Sequence, residues 1–283
     1  EIYGKWLASA LAVYATPLYF HTINAALSAF MERTLPAIQP FFEKDDKGKT
    51  YHPLRHKIPA SVYLSVCGFP DASEFDAFKN FIAQTRYENL QPVAIICRAG
   101  ASLLSSPFSQ KKTKDILEAT RQAGKELVAS MHISPDTMAR ITRSLGSTEL
   151  FDRMGNIYWK TCIAEGVTPK QFDERKMIPR PDNLDDFMLM FALGLNAGAA
   201  GDKKVSLQFK FSGAVAAPCY FTLVNGKVSP SAGICDYPAL TIETPFDVWM
   251  DIMTGKADGA KMLMEQKYKV TGDLSLMMKL FQK

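Results

Sequence analysis

Cysteine is scarce in this 283-residue chain: five are scattered along it, with no CxxC pair and no even framework. Neither a disulfide-stapled fold nor a zinc ribbon is expected. Long apolar runs are missing too. The longest, residues 6–20, is broken by Thr16 and Pro17 and is shorter than the roughly 20 residues of a membrane-spanning helix, so the protein is not expected to be transmembrane. No basic segment followed by an apolar one opens the sequence. A secretory leader is therefore not read from it, and a reducing cytoplasm is the expected compartment. Net charge is slight, +4, and is spread over both halves, which gives no reason to expect nucleic acid as a partner. The cluster Lys111, Lys112 and Lys114 reads as a solvated helix face. Residue 1 is Glu, and a helix-like opening runs straight into a strand, the pattern of a processed, truncated or incompletely assigned chain.

Apolar residues are plentiful, at 47% of the chain, enough for two cores at this length. Residues 11–15 (LAVYA) form a continuous apolar run stopped by Thr16 and Pro17, as in a strand buried on both faces of a parallel sheet. Ile23, Leu27, Phe30, Met31 and Leu35 follow at near-helical spacing. The unit recurs: residues 61–67 (SVYLSVC) read as a strand, 68–73 as a loop, 74–87 as a helix and 92–98 (PVAIICR) as a third strand. Ser109 or a neighbour is expected to cap a helix reaching about residue 131, and Ser134 with Pro135 pairs an N-cap with an N1 proline. Strands alternating with helices predict a parallel α/β sheet. Residues 36–60, charged and rich in proline and histidine, read as a long functional or mobile loop. Another helix is expected over 151–166.

Beyond it, three prolines and mixed charge make 167–182 the expected linker. The chain is thus divided into a first domain, 1–166, that linker, and a second domain, 183–283. From Lys203 the apolar period drops to two. Val205, Leu207, Phe209 and Phe211 alternate with polar residues, as in a strand with one wet face. Residues 219–224 and 227–232 are joined by Asn225-Gly226, a strong hairpin signal. Residues 240–243 form a fourth strand, and Thr244, Pro245 and Asp247 are expected to open a helix over 245–254. This region is α+β, with an antiparallel sheet followed by helices.

The run TIETPFDVWMDIMTGKADGAKMLMEQKYKVTGDLSLMMKLF that follows the strands resembles the sterol carrier protein type 2 family, over about residues 182–283. Three landmarks carry the resemblance: the apolar helix after a strand, the G-K-x-D turn at Gly255, Lys256 and Asp258, and K-x-x-G-D at Lys269, Gly272 and Asp273. It implies a pocket for an apolar small molecule or lipid. Phe209, Phe211, Phe221, Leu223, Phe246, Trp249, Met250, Met253, Met262, Leu263, Met277 and Phe281 are its expected lining. Each taken singly is also an ordinary core residue; collectively, flexible thioethers suit an adaptable cavity.

The segment AVYATPLYFHTINAALSAFMERTLP followed by SVYLSVCGFPD resembles the flavodoxin-like, NADPH-dependent FMN reductase family, over about residues 1–131. The resemblance implies a flavodoxin-like parallel sheet without its first strand region, FMN as cofactor, and oxidoreductase activity. Thr16, Pro17, Leu18, Tyr19 and Phe20 would wrap the flavin ring, with the backbone groups of Thr16, Leu18 and Tyr19 facing the ligand. Gly68, Phe69 and Pro70 would border the same crevice. Ser28 and Glu32 replace the family's usual Lys and Asp, and the family's phosphate-binding loop is absent from this sequence. No catalytic proton donor is identified.

Other patterns are weaker. His52 and His56 stand four apart, without a third ligand. Ser109 and Lys112 match SxxK without the companion motifs of the serine β-lactamases. Cys67 reads as a buried thiol or a redox-active one. Gly194, Gly198 and Gly201 fall short of GxGxxG and read as a helix end and loop. Two functions stay open: a flavoprotein fused to an apolar-ligand domain, or a noncatalytic carrier whose α/β half is a scaffold, with basic helices such as 111–131 serving a homo-oligomer.

Overall fold

The structure is a computed structural model describing residues 1–85, 90–105, 109–196, 198, 201 and 203–281. Contacts divide the chain into two compact units, Glu1–Phe151 and Asp152–Lys283.

The first unit is built on a three-stranded parallel sheet in the order β1-β4-β5, formed by β1 (Leu11–Pro17), β4 (Ala60–Val66) and β5 (Ala94–Arg98). This agrees with the predicted α/β class. Helices α1 (Ile2–Ala8), α2 (Ala25–Glu32), α3 (Asp76–Thr85), α4 (Gln110–Ser130) and α5 (Pro135–Thr142) surround it, and β2 (Glu43–Lys44) with β3 (Thr50–Tyr51) makes a separate hairpin. One face of the sheet packs Tyr63 against Phe75, Phe78 and Ile82. The other packs Val62, Ala94 and Ile96 against Ala119, Ala123 and Leu127 of α4 and Ile141 of α5. The buried positions of α4, residues 116, 119, 123 and 127, recur at three and four as an amphipathic helix requires.

Several expectations are corrected. β1 is not buried on both faces: Val13 is 56% exposed. It is an edge strand, and of its residues only Leu11 joins the cluster under α4 and α5. The helix expected over 23–35 spans only Ala25–Glu32, because Asn24 caps it by accepting from the Leu27 amide. The helix expected over 74–87 is a 3₁₀ turn followed by α3, and Tyr87 lies outside the described residues. Ser109 stands at the N-cap of α4 but its side chain makes no capping bond; its hydroxyl donates to the Leu103 carbonyl. Ser134 does cap α5. Part of the long connection 36–60 is the β2–β3 hairpin, continued by an Ile38–Leu54 bridge.

Arg98, at the carboxyl end of β5, is buried without a carboxylate partner among the described residues. Its guanidinium donates to the carbonyls of Ala99 (2.7 Å), Ile141 (2.8 Å) and Arg143 (2.6 Å). It thus satisfies carbonyls at the end of α5 that no helical amide reaches, while burial lowers its pKa.

Helix α6 (Thr148–Glu165) straddles the boundary, and the rest belongs to the second unit: α7 (Pro169–Glu174), α8 (Leu184–Gly194), β6 (Val205–Ser212), β7 (Pro218–Val224), β8 (Lys227–Ala232), β9 (Leu240–Pro245), α9 (Phe246–Met253), α10 (Gly259–Met264), β10 (Lys269–Gly272) and α11 (Leu274–Phe281). Within 167–182, α7 carries a full capping box at Thr168 and Gln171. Arg180 then binds Asp251 at 2.6 Å, and its amide donates to Thr161 Oγ1.

The five-stranded sheet runs β10-β9-β6-β7-β8. It is mixed, not purely antiparallel as expected, because β6 lies parallel to β9. Asn225 (φ 49°) and Gly226 (φ 69°) both take the left-handed conformation that their hairpin needs. The wet face expected of β6 is interrupted by Gln208, which is buried. Its amide donates to the carbonyls of Phe209, Cys219 and Gly233 and accepts from the Cys235 amide. The capping signal expected at Thr244 is not used; its hydroxyl donates to the Pro245 carbonyl.

Candidate functional site

In the first unit every residue expected to contact a flavin lies at the carboxyl ends of two neighbouring strands, since Pro17 and Val66 are paired in register. That end of an open parallel sheet is where ligands bind. After β1 the chain makes a two-residue turn, closed by Tyr19 and Thr22 exchanging backbone bonds of 3.2 and 3.0 Å. Its central residues, Phe20 (φ 48°) and His21 (φ 61°), are both left-handed. Such a turn normally takes Asn-Gly, and for a residue with a Cβ the conformation costs roughly 1–2 kcal/mol. Phe20 receives no packing in return, being 99% exposed.

The turn is nevertheless held. Thr16 is buried and accepts from the Asn24 amide at 3.2 Å, and His21 Nδ1 lies 3.3 Å from Glu74 Oε2. The Leu18 amide donates to Val66 O, and the Tyr19 amide to Thr22 O. Those two amides, expected to face a ligand, are therefore engaged within the protein.

The opposite loop is equally fixed. Gly100 donates to Phe69 O and Ala101 to Cys67 O, while Ser102 Oγ donates to Gly68 O. Phe69 stays largely exposed and meets Phe151 edge-on at 6.3 Å. Tyr19, Phe20 and Phe69 thus present aromatic surface at one end of the sheet. The thiol of Cys67 is buried and donates to Phe69 O at 3.4 Å. Burial raises its pKa and pushes the Cys97 thiol up to about 11, which leaves neither ionised near neutrality.

In the second unit the sheet face bearing Leu207, Phe209, Phe211, Phe221, Leu223, Leu240 and Ile242 is covered by α8 and α9. Phe187 of α8 is the hub. Its ring lies 4.9–6.2 Å from those of Phe191, Phe209, Phe211, Phe221 and Phe246. Trp249 closes on Phe209 at 5.0 Å and on Tyr268 at 5.7 Å.

Of the expected pocket lining, Phe209, Phe211, Phe221, Leu223, Phe246, Trp249 and Met250 are buried in this one cluster, and Met253, Met262 and Met277 stand half-buried at its margin. Leu263 is not brought in; it is exposed on α10 beside Met264, as are Leu274 and Met278 on α11. The Phe281 side chain lies outside the described residues. The aromatic residues and Met250 are therefore a packed floor, and Met253, Met262 and Met277 edge it.

Phe187 and Phe191 were absent from the expected lining, although their i, i+4 spacing with Leu195 was the signal for them. Two open hollows, about 280 and 490 Å³, lie elsewhere, around Arg153 and Asp186. These two residues pair at 3.1 Å.

The landmark residues have backbone roles. Gly255 (φ 76°) follows α9, and Asp258 caps α10 by accepting from the Lys261 amide. Asp273 caps α11. Gly272 has φ 107°, and any Cβ there would collide with the Ala239 backbone.

Residues 198–282 match the family model described as the SCP-2 sterol transfer family. No curated protein sequence matches the chain. Among solved structures, similarity extends to the stereoselective inverting sec-alkylsulfatase Pisa1 from Pseudomonas sp., 20% identical, covering 34% of this chain and 15% of that one, with a TM-score of 0.31. Sterol carrier protein 2 like 2 from Aedes aegypti is 20% identical, covering 29% and 76%, with a TM-score of 0.24. Sterol carrier protein 2 from Yarrowia lipolytica is 16% identical, covering 32% and 91%, also at 0.24. The chain therefore spans only 15% of the alkylsulfatase's length.

Proposed function

We propose that the SCP2-type domain takes up one apolar ligand, a lipid or sterol-like molecule, between its aromatic floor and the helices α9 to α11. The observation that carries this is the family match over 198–282, which falls on the segment holding the half-buried Met253, Met262 and Met277. Thioethers repack at low cost, so parting these helices makes room for a chain without dismantling the phenylalanine cluster. Burying about ten methylenes supplies roughly 8 kcal/mol before ordering costs. A cytoplasmic location goes with this reading, and no described helix is long and apolar enough to cross a membrane. The test is mass spectrometry of small molecules extracted from native protein, together with displacement of a fluorescent fatty acyl probe. Finding no lipid and no probe affinity removes the proposal.

A second reading concerns the first unit, and the exposed aromatic turn supports it: a flavin ring stacks on Tyr19 or Phe20, with Phe69 across the crevice. Exposed ring faces on a braced loop fit an isoalloxazine. The engaged amides of Leu18 and Tyr19 do not add hydrogen bonds to it. Bound FMN would supply hydride or electron transfer, making the chain an oxidoreductase that presents an apolar substrate. Titration with FMN, followed by quenching of flavin fluorescence, tests it. If flavin is not bound while lipid is, the chain is a noncatalytic carrier with an α/β scaffold.

A further inference from the structure

Of the helices α8 to α11, three are rooted in the core of the second unit: α8 by Phe187 and Phe191, α9 by Phe246, Trp249 and Met250, and α11 by Leu276 and Leu280. Helix α10 is the exception. None of its residues is buried, Leu263 and Met264 are exposed, and only Met262 reaches the cluster, at its margin. Little apolar surface holds α10 down, and local opening falls first on elements of that kind.

Its polar ties are as few. Among the described residues, one hydrogen bond joins residues 258–267 to what lies outside them, from the Tyr268 hydroxyl to the Gly259 carbonyl at 3.0 Å. The others are internal: Asp258 accepts from the Lys261 amide, and the amides of Met262, Glu265, Gln266 and Lys267 donate within the span. Both ends are anchored. The Lys256 ammonium pairs with Glu165 and the Ala257 amide donates to Asp251 O at 3.0 Å, while β10 starts at Lys269, opposite Glu243. Gln266 turns the chain with a φ of 53°. The start of α10 lies close on α9, where a Cβ at Gly259 would stand 3.2 Å from the Ile252 side chain. Tyr268 itself is buried and meets Trp249 edge-on at 5.7 Å. Burial and the Asp258 carboxylate raise its pKa, so the phenol keeps the proton it donates. Lifting α10 thus breaks one hydrogen bond, beside Trp249, and a margin of apolar contact, whereas moving α8, α9 or α11 pulls buried side chains out of the core.

We propose that residues 258–267 are the gate of the apolar site, a strap that swings out between Asp258 and Gln266 when the bond from Tyr268 to Gly259 breaks, and so lets a lipid-like ligand pass to Trp249. This rests on the lipid-uptake reading and adds to it the route of entry and the latch.

The test is stopped-flow uptake and release of a fluorescent fatty acyl probe by the full chain. Tyr268→Phe removes the latch, which is made with and without ligand, so both rates should rise about fivefold while Kd stays unchanged. Asp258→Ala, which removes the cap of α10, should act in the same direction by about fivefold. Asp273→Ala removes the cap of α11 instead and should leave both rates as in the parent. A six-residue helix does not hold its own bonds once lifted. In lipid-free protein the amides of Met262 and Lys267 should therefore exchange about tenfold or more faster than those of α9 and α11. Equal protection in the three helices overturns the gate, and so does an Asp273→Ala variant that accelerates as much as Asp258→Ala. If the probe binds and neither Tyr268→Phe nor Asp258→Ala moves the rates, the gate alone fails; if the probe does not bind, the lipid-uptake reading fails and the gate with it.

Discussion

Phe20 and Phe209 are the same side chain in opposite settings. Phe20 sits at the tip of a left-handed turn, almost wholly in water, while Phe209 is fully buried among Phe187, Phe191, Phe221 and Trp249. The first unit holds strain at an exposed aromatic loop, and the second has drawn its aromatic residues inside and left methionines at the edge. Such a contrast separates side chains kept for stability from those whose stability cost is tolerated, and the latter are the candidates for function.

The largest expected effect comes from the closed unit. Phe209→Ala should cost about 3–5 kcal/mol, read as a lower denaturant midpoint and faster amide exchange in β6 and β7. A loss below 1 kcal/mol would mean the cluster is loosely packed, and the contrast would fail. Gly272→Ala should follow at about 2 kcal/mol, since its positive φ and the Ala239 backbone leave no room for a methyl group. Phe20→Gly should have the opposite sign, stabilising the first unit by roughly 1 kcal/mol while weakening any FMN affinity that rests on that ring. A destabilised variant would show that Phe20 is packed in solution.

The smallest effect is electrostatic. Hydrogen bonds and ion pairs from Arg140 and Arg143 hold the Asp115 carboxyl below the usual range. A carboxyl depressed in the folded state stabilises above the unfolded value, near pH 4, and that contribution is lost as pH falls through the folded value. Asp115→Asn should therefore be less stable than the parent in urea at pH 7, with the gap narrowing as the pH falls below the ordinary carboxylate range.

Much of this was legible in the sequence because it rested on local pattern. The turn Asn225-Gly226 and the stripe 116, 119, 123 and 127 each announce themselves within a few residues. The match at Gly255, Asp258, Gly272 and Asp273 was visible because backbone geometry demands those residue types. What escaped was decided at a distance. The parallel pairing of β6 with β9 depends on a partner some thirty residues on. Gln208 looked like a solvent-facing residue until the carbonyl of its neighbour Phe209, two carbonyls from other segments and the Cys235 amide claimed it. Ser109 and Thr244 were expected as caps, but their hydroxyls had nearby carbonyls to choose from. Left-handed geometry at Phe20 runs against that residue's own propensity, so no local rule foretells it.

The central place of Phe187 bears on excision. The homologous segment starts at residue 198, yet the ring that touches five others belongs to α8, which ends at Gly194. A fragment cut at the family border would leave a hole in the middle of its own interior and should collapse or aggregate. The smallest autonomous piece must begin before Asn183, upstream of the border that homology draws.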